Sequence, residues 1–237
     1  SNIFRAYDVR GIYPEELDEK AAFRIGQATA KFLKAKTMVV GEDARASSPS
    51  LSAKIVEGIT SAGCEVLYIG QSTSPLFYFS VNRLKVDGGI MITASHNPPE
   101  YNGFKIVGKE AIPVSSASGL LDIQKLTESD ITASERTGNI HRVSVKDDYV
   151  NFLASQWKGN SLKIVIDTSN GMAAIVLEEL FKKVNFNVVS INFDIDGIFP
   201  NHLPDTSQEE NLKDLKNKVI SDGADVGMAF DGDGERM

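Results

Sequence analysis

Short β-branched runs alternate with amphipathic stripes of helix length along most of this chain, and that alternation confines it to an α/β architecture. Ala22, Ile25, Gly26, Thr29, Phe32 and Leu33 fall at i, i+3, i+4, i+7, i+10 and i+11, one face of a helix. The apolar run 37–40 then ends at Gly41 and reads as a strand. Ser48-Pro49 reads as a helix start with proline at N1, and Leu51, Ile55, Ile59 and Ala62 carry a stripe to Gly63 as the C-cap. A strand over 66–69, a helix opened by Ser74-Pro75 and a strand over 89–93 follow. This order is that of a largely parallel sheet covered by helices.

The rhythm breaks over 127–145, a stretch rich in Ser, Thr, Glu and Asp, and then resumes. A helix over 147–156 is expected to bridge two domains. Next come a strand over 163–167, a helix over 172–184 and a strand over 187–193. Ser207-Gln208-Glu209-Glu210 has the form of a capping box and should open a helix over 211–221. A strand over 225–230 runs into Asp231-Gly232-Asp233-Gly234-Glu235-Arg236. The expectation is two consecutive α/β/α domains with mainly parallel mixed sheets, residues 1–142 and 143–237. The second should be truncated just after its carboxylate loop.

Charge narrows the function. The 237 residues hold 25 Lys+Arg against 32 Asp+Glu, a net charge of −7, with no basic stripe. Nucleic acid is therefore not an expected partner. A small anionic substrate stays open, because a local Arg/Lys cluster can reverse the field inside a cleft. Cys64 is the only cysteine, so no intrachain disulfide forms, which fits a reducing compartment. No segment approaches the ~18 apolar residues of a membrane span and no signal-peptide pattern opens the chain. The expected setting is cytoplasmic, without a membrane or an obligate protein partner.

Two polar loops follow strands. Asp231, Asp233 and Glu235 alternate with glycines, and in extended backbone that spacing puts three carboxylates on one side. Converging carboxylates repel unless a cation neutralises them, and hard oxygen ligands suit Mg²⁺. An exposed acidic turn is the plain alternative. The position after a hydrophobic strand favours a site, since open α/β sheets bind ligands at strand C-termini. The other loop is Thr93-Ala94-Ser95-His96-Asn97-Pro98. Ser95 is a candidate nucleophile, but His96 should point the opposite way in extended backbone and be a poor base for it. Arg10, anchored by Phe4, Tyr7 and Ile12, joins Arg5, Arg45, Lys105 and Arg236 as the cations nearest these loops in sequence. A surface position is the default for Arg45 and Lys105. Asp167-Thr168-Ser169-Asn170-Gly171 reads as residues that cap a helix. No G-x-G-x-x-G, Walker A loop, paired-cysteine motif or H-E-x-x-H occurs.

Three segments together, 4–11, 93–106 and 231–236, resemble the α-D-phosphohexomutase family. Phe199-Pro200-Asn201-His202, Pro204-Asp205 and Glu210-Asn211-Leu212 add a fourth. The resemblance runs the full length of the chain. It implies that Ser95 is a phosphoserine and that Ser95, Asp231, Asp233 and Glu235 bind Mg²⁺. It implies that Arg10, Lys105 and Arg236 surround the phosphoryl group, that His96 and Asn97 shape the loop, and that Tyr7 and Asn97 lie on the substrate side. The implied reaction interconverts a hexose 1-phosphate and 6-phosphate, the phosphorylated hexose being the partner and a hexose 1,6-bisphosphate the intermediate and activator. The return step needs a proton acceptor: Lys105 serves only if its pKa is lowered, and the resemblance makes His96 a weaker candidate for proton transfer.

Two positions depart from the family pattern. Glu235 stands where the family usually has Asp, and Glu42 where it often has Arg in a Gly-x-Asp-x-Arg segment. Members have four domains, the third and fourth supplying sugar and phosphate recognition. This chain is thus expected to hold metal and phosphate without useful turnover. Two other readings stand beside this one. Residues 228–234 resemble a haloacid-dehalogenase loop with Asp231 as nucleophile, or the chain is a non-catalytic metal- or sugar-phosphate-binding relic.

Overall fold

A computed structural model describes residues 3–159 and 161–237, which fold into nine strands and seven α-helices on two sheets. The first sheet contains β1 (Val9–Ile12), β2 (Thr37–Glu42), β3 (Glu65–Gln71), β4 (Gly88–Ile92), β5 (Tyr101–Gly108) and β6 (Ile140–Arg142). Their order is β1-β5-β4-β2-β3-β6. β2, β3, β4 and β6 run parallel, while β5 is antiparallel to both β4 and β1. An antiparallel return needs no crossover helix, so β4 and β5 are joined by a loop alone, and that loop carries Ser95. The second sheet places β7 (Lys163–Asp167) between β8 (Asn187–Ile191) and β9 (Val226–Ala229), all parallel. The fold is α/β with mainly parallel mixed sheets, as the alternation predicts.

Burial on both faces of the first sheet follows from its strand sequences. Met38, Val40, Ile90 and Ile92 face α1 (Glu19–Leu33) and α2 (Ser48–Ser61), where Ile25, Leu51, Ile55 and Ile59 meet them. Val39 and Met91 face the other way, onto Phe77 and Val81 of α3 (Ser74–Arg83). Asp18 caps α1 by accepting from the Ala21 amide, and Thr73 caps α3 by accepting from the Leu76 amide. α1 and α2 touch at glycine: a Cβ on Gly58 would stand 2.1 Å from the Phe23 carbonyl oxygen. α4 (Leu120–Glu128) lies beside α1.

α5 (Lys146–Gln156) joins the two halves. Its Val150 packs with Leu76 of α3 and with Val176 and Leu180 of α6 (Ala174–Lys183). The C-terminal end of β4 thereby faces that of β9 across the junction. Among the described residues no helix is long and apolar enough to cross a membrane.

Local readings differ from the structure in three places. Ser207 opens no helix: α7 (Lys213–Asp222) starts after a 3₁₀ turn over Glu209–Leu212, and the Ser207 hydroxyl donates to Asp205 at 2.7 Å. Asp205 offers a nearer acceptor than a cap bond, forming an Asx turn instead. The 167–171 segment does not cap α6, whose N-cap Ala173 makes no side-chain bond. Ser169 Oγ donates to the Phe230 carbonyl at 2.7 Å and Asn170 Nδ2 to the Asp194 carbonyl at 2.7 Å, stitching strand ends together. Finally, Tyr7 is 79% exposed, so it is no anchor for the Arg10 segment. Pairing of β1 with β5 and the buried Val9 hold that segment instead.

Candidate active site

Ser95 lies just past β4 with its side chain buried and its backbone in the left-handed region, φ +52°. A non-glycine residue there costs about 1–2 kcal/mol and persists only where surroundings enforce it. Its amide donates to Thr93 Oγ1 at 2.9 Å, and its carbonyl accepts from Arg45 at 2.9 Å. Its hydroxyl donates to Asp231 Oδ2 at 2.6 Å, across the junction between the two sheets. The left-handed turn also overturns the expectation for His96. Its Nδ1 comes within 3.4 Å of Ser95 Oγ, because opposite orientation applies only to extended backbone. Burial, then the charges of Arg236 and Arg10, lower the His96 pKa and keep the ring neutral.

The carboxylate loop divides into a pair and an outlier. Asp231 Oδ1 accepts from the Glu235 and Arg236 amides at 2.9 Å each. Burial and the neighbouring Asp233 charge push the Asp231 carboxyl up to about 6. Asp233 is fully buried, and its Oδ2 accepts from Ser74 Oγ at 2.6 Å and Lys105 Nζ at 2.7 Å. Burial opposes its charge, yet Lys105 and Ser74 outweigh that and hold its pKa below the ordinary value. Glu235 turns away, accepting from Lys105 Nζ and from Tyr78 OH. Among the described residues no three His, Cys, Asp or Glu side chains gather into a metal-binding group.

A divalent cation fits part of this set. Asp233 Oδ1 is buried and has no hydrogen-bond partner among the described residues, an expensive state for a carboxylate oxygen. Asp231, Asp233 and the Ser95 hydroxyl offer hard oxygens next to that orphan, which is the chemistry Mg²⁺ takes. Glu235 does not belong to the set as it stands. Its extra methylene lets it span to Lys105 and Tyr78.

Lys105 corrects a second expectation. Burial alone would lower its pKa, but Asp233, Tyr78 and Glu235 outweigh it and raise the pKa above the ordinary lysine value. It is held as an ammonium and is no proton acceptor. Arg10 donates to Asn97 Oδ1 at 2.6 Å and pairs with Asp8, so Asn97 orients Arg10. Arg10 Nε is buried and unpartnered among the described residues. Arg5, Arg10, Lys105 and Arg236, against Asp8 and Glu235, line a cleft of about 550 Å³ with Ser95 and Tyr7 in its wall. The cleft is thus locally cationic in an acidic chain.

Arg45 is the residue that sequence reasoning misjudged most. It is buried rather than superficial, 1% exposed. Its guanidinium donates to Asp43 and to four loop carbonyls, those of Ser95, Asn97, Pro98 and Tyr101. The signal that could have found it is Asp43, two residues earlier, whose carboxylate also accepts from the Arg45 amide. Glu42 is buried and is not among the residues lining the cleft. Ser74 and Tyr78 were missed because they lie on a helix whose sequence shows only its apolar stripe.

Residues 1–132 match the family model "Phosphoglucomutase/phosphomannomutase, alpha/beta/alpha domain I", and residues 145–237 match that for domain II. The chain belongs to the phosphoglucomutase/phosphomannomutase family. It is 41% identical to a phosphomannomutase of Escherichia coli, over 98% of this chain and 54% of that protein. It is 35% identical to a phosphomannomutase/phosphoglucomutase of Pseudomonas aeruginosa, over 100% of this chain and 51% of that protein. A crystal structure of a phosphoglucomutase/phosphomannomutase family protein from Burkholderia thailandensis superposes with TM-score 0.88 at 36% identity, over 98% of this chain and 53% of that one. The chain spans about half the length of the curated relatives it matches. In family terms, the Ser95 loop lies in the part matched as domain I and the carboxylate loop in the part matched as domain II.

Proposed function

We propose that the chain supplies the phosphoryl-transfer centre of a phosphohexose mutase, with Ser95 Oγ as the carrier of the group. The hydrogen bond of the Ser95 hydroxyl to Asp231 at 2.6 Å, at the wall of a cationic cleft, carries this reading. In the forward step the Ser95 Oγ–P bond breaks as a P–O bond forms to a sugar hydroxyl, whose proton ends on the freed Ser95 Oγ, giving a hexose 1,6-bisphosphate. In the return step the P–O bond to the other sugar oxygen breaks as the Ser95 Oγ–P bond forms, the serine proton ends on that sugar oxygen, and the monophosphate isomer leaves.

Arg10, Lys105 and Arg236 bind the phosphoryl oxygens, and Lys105 does so as a fixed cation. Asn97 orients Arg10, and Tyr7 offers its exposed ring at the rim to the sugar. Asp231, Asp233 and Ser95 Oγ would hold Mg²⁺, which when bound supplies charge neutralisation at the phosphoryl oxygens. His96, 3.4 Å from Ser95 Oγ, is the proton acceptor for the serine hydroxyl in the return step. The single, buried, unpaired Cys64 is consistent with a cytoplasmic setting.

The test is incubation with Mg²⁺ and glucose 1,6-bisphosphate, followed by peptide mass spectrometry. Phosphate on Ser95, lost in Ser95→Ala, is the expected result. Phosphate on Asp231, or labelling that survives Ser95→Ala, would overturn the reading and favour an aspartyl enzyme.

A further inference from the structure

We propose that Arg45 is a positioning residue for Ser95, and that the 196–204 segment of the second domain holds Arg45 in place. The loop between β4 and β5 makes few sheet bonds, so its buried carbonyls need other partners. Arg45 supplies them. Its Nη1 donates to the carbonyls of Pro98 at 2.6 Å and Tyr101 at 3.1 Å. Its Nη2 donates to those of Ser95 at 2.9 Å and Asn97 at 2.7 Å. Its Nε donates to Asp43 Oδ2 at 3.0 Å. All five N–H donors of the guanidinium fork are thus used, and a lysine ammonium, with three donors on one atom, cannot reproduce the pattern.

The open face of the guanidinium is closed from the other domain. The Phe199 ring lies against it, 5.1 Å from Arg45 Cζ to the ring centroid. Gly197 approaches the backbone beneath, so that a Cβ there would stand 2.2 Å from the Ala44 carbonyl oxygen and 2.6 Å from Arg45 Cα. Gly232 fills the remaining corner, where a Cβ would meet the Ser95 carbonyl oxygen at 2.5 Å. The segment is itself tied to the end of β7. Asp196 N donates to the Asn170 carbonyl at 2.9 Å, and His202 Nε2 lies 3.0 Å from Asp167 Oδ2. The docking that brings Asp231 to the Ser95 hydroxyl therefore also fixes the backbone conformation of Ser95. The first domain supplies all five hydrogen-bond partners of Arg45, and the second supplies the Phe199 ring and the close approaches of Gly197 and Gly232.

Hydrogen–deuterium exchange of the whole chain tests this, with Arg45→Lys, Phe199→Leu and Gly197→Ala. The expected result is exchange over 93–103 faster by about tenfold in all three variants, with β2 and β4 peptides at the wild-type rate. Arg45→Lys should give no rescue although it keeps the charge. Unchanged exchange over 93–103 in Phe199→Leu and Gly197→Ala would overturn the interdomain part. Equal acceleration across every first-domain peptide would make Arg45 a merely structural residue and overturn the rest. A second readout rests on the phosphoryl-transfer reading: the single-turnover rate of Ser95 phosphorylation should fall in Arg45→Lys while the half-saturating glucose 1,6-bisphosphate concentration stays constant. A change confined to half-saturation would count against positioning. If wild-type Ser95 takes no phosphate, the function proposal fails and the exchange data still decide this one.

Discussion

Nζ of Lys105 lies 2.7 Å from Oδ2 of Asp233, joining strand β5 of the first sheet to the carboxylate loop of the second. The carboxylate is fully buried and the lysine side chain is 14% exposed. The bond makes Lys105 a permanent cation, and it leaves the other Asp233 oxygen facing a space with no donor among the described residues. Lys105→Met should therefore strand a buried charge and cost roughly 3 kcal/mol of unfolding free energy. Urea titration checks this. Adding Mg²⁺ should restore part of the loss, because a ligand that binds only the folded state stabilises it.

Glu235 is the family departure with a structural consequence. Its carboxylate reaches Lys105 and Tyr78, and an aspartate is one methylene too short to hold both. Glu235→Asp should release Tyr78 and turn the third carboxylate toward Asp231 and Asp233. Mg²⁺ affinity measured by calorimetry should rise by several-fold to about tenfold. Unchanged affinity would show that the third carboxylate stays outside the site.

His202 gives a pH signature remote from the cleft. Its Nδ1 lies 2.9 Å from the Leu203 carbonyl oxygen and its Nε2 3.0 Å from Asp167 Oδ2, and both oxygens only accept, while Asn192 Nδ2, 3.3 Å from Nε2, donates to Asp167 Oδ1 at 3.0 Å. Both nitrogens must carry protons to make both bonds. The Asp167 bond, the Leu203 carbonyl and the Asp167 charge together raise the His202 pKa above 6.5 despite burial. A raised histidine adds stability that is fully present below the unfolded pKa and is lost as pH rises through the folded one. The melting-temperature advantage of wild type over His202→Gln should be largest below about pH 6.5 and shrink as pH rises through the raised His202 pKa.

Gly58 tests the helix packing under the first sheet. Alanine at a helix interior gains up to about 1 kcal/mol of propensity. The new Cβ would meet the Phe23 carbonyl oxygen at 2.1 Å, backbone against backbone, so α1 and α2 must separate. Overpacking of this kind costs about 1–3 kcal/mol. Gly58→Ala should be destabilising overall in a chemical denaturation curve, with the site geometry at Ser95 intact.

Much of the layered fold was legible because period-2 and period-3.6 patterns report burial directly. Met38 and Val40 against Val39 show the alternation, and Ile55 and Ile59 the helical stripe. β5 was not legible. Asn102 and Gly103 are poor strand formers, and the strand exists because β1 and β4 offer backbone partners on both sides. β1 escaped for the same reason, its partner lying far along the chain. Local capping readings failed at Ser207, whose hydroxyl goes to Asp205 two residues earlier, and at 167–171, where tertiary acceptors outcompeted the helix end.

Sequence by itself determined the chemistry available: a serine loop after one strand, a carboxylate loop after another, and cations enough to line an anionic ligand's cleft. Residue type and position after a strand's end are local properties, and they survive without a structure. Only tertiary structure decided how those groups relate. It set Asp231 against Ser95, turned Glu235 out to Lys105, kept Lys105 charged and buried Arg45 beneath Phe199. Those outcomes depend on distance and desolvation between residues far apart in the chain, and neither quantity is written in spacing along it.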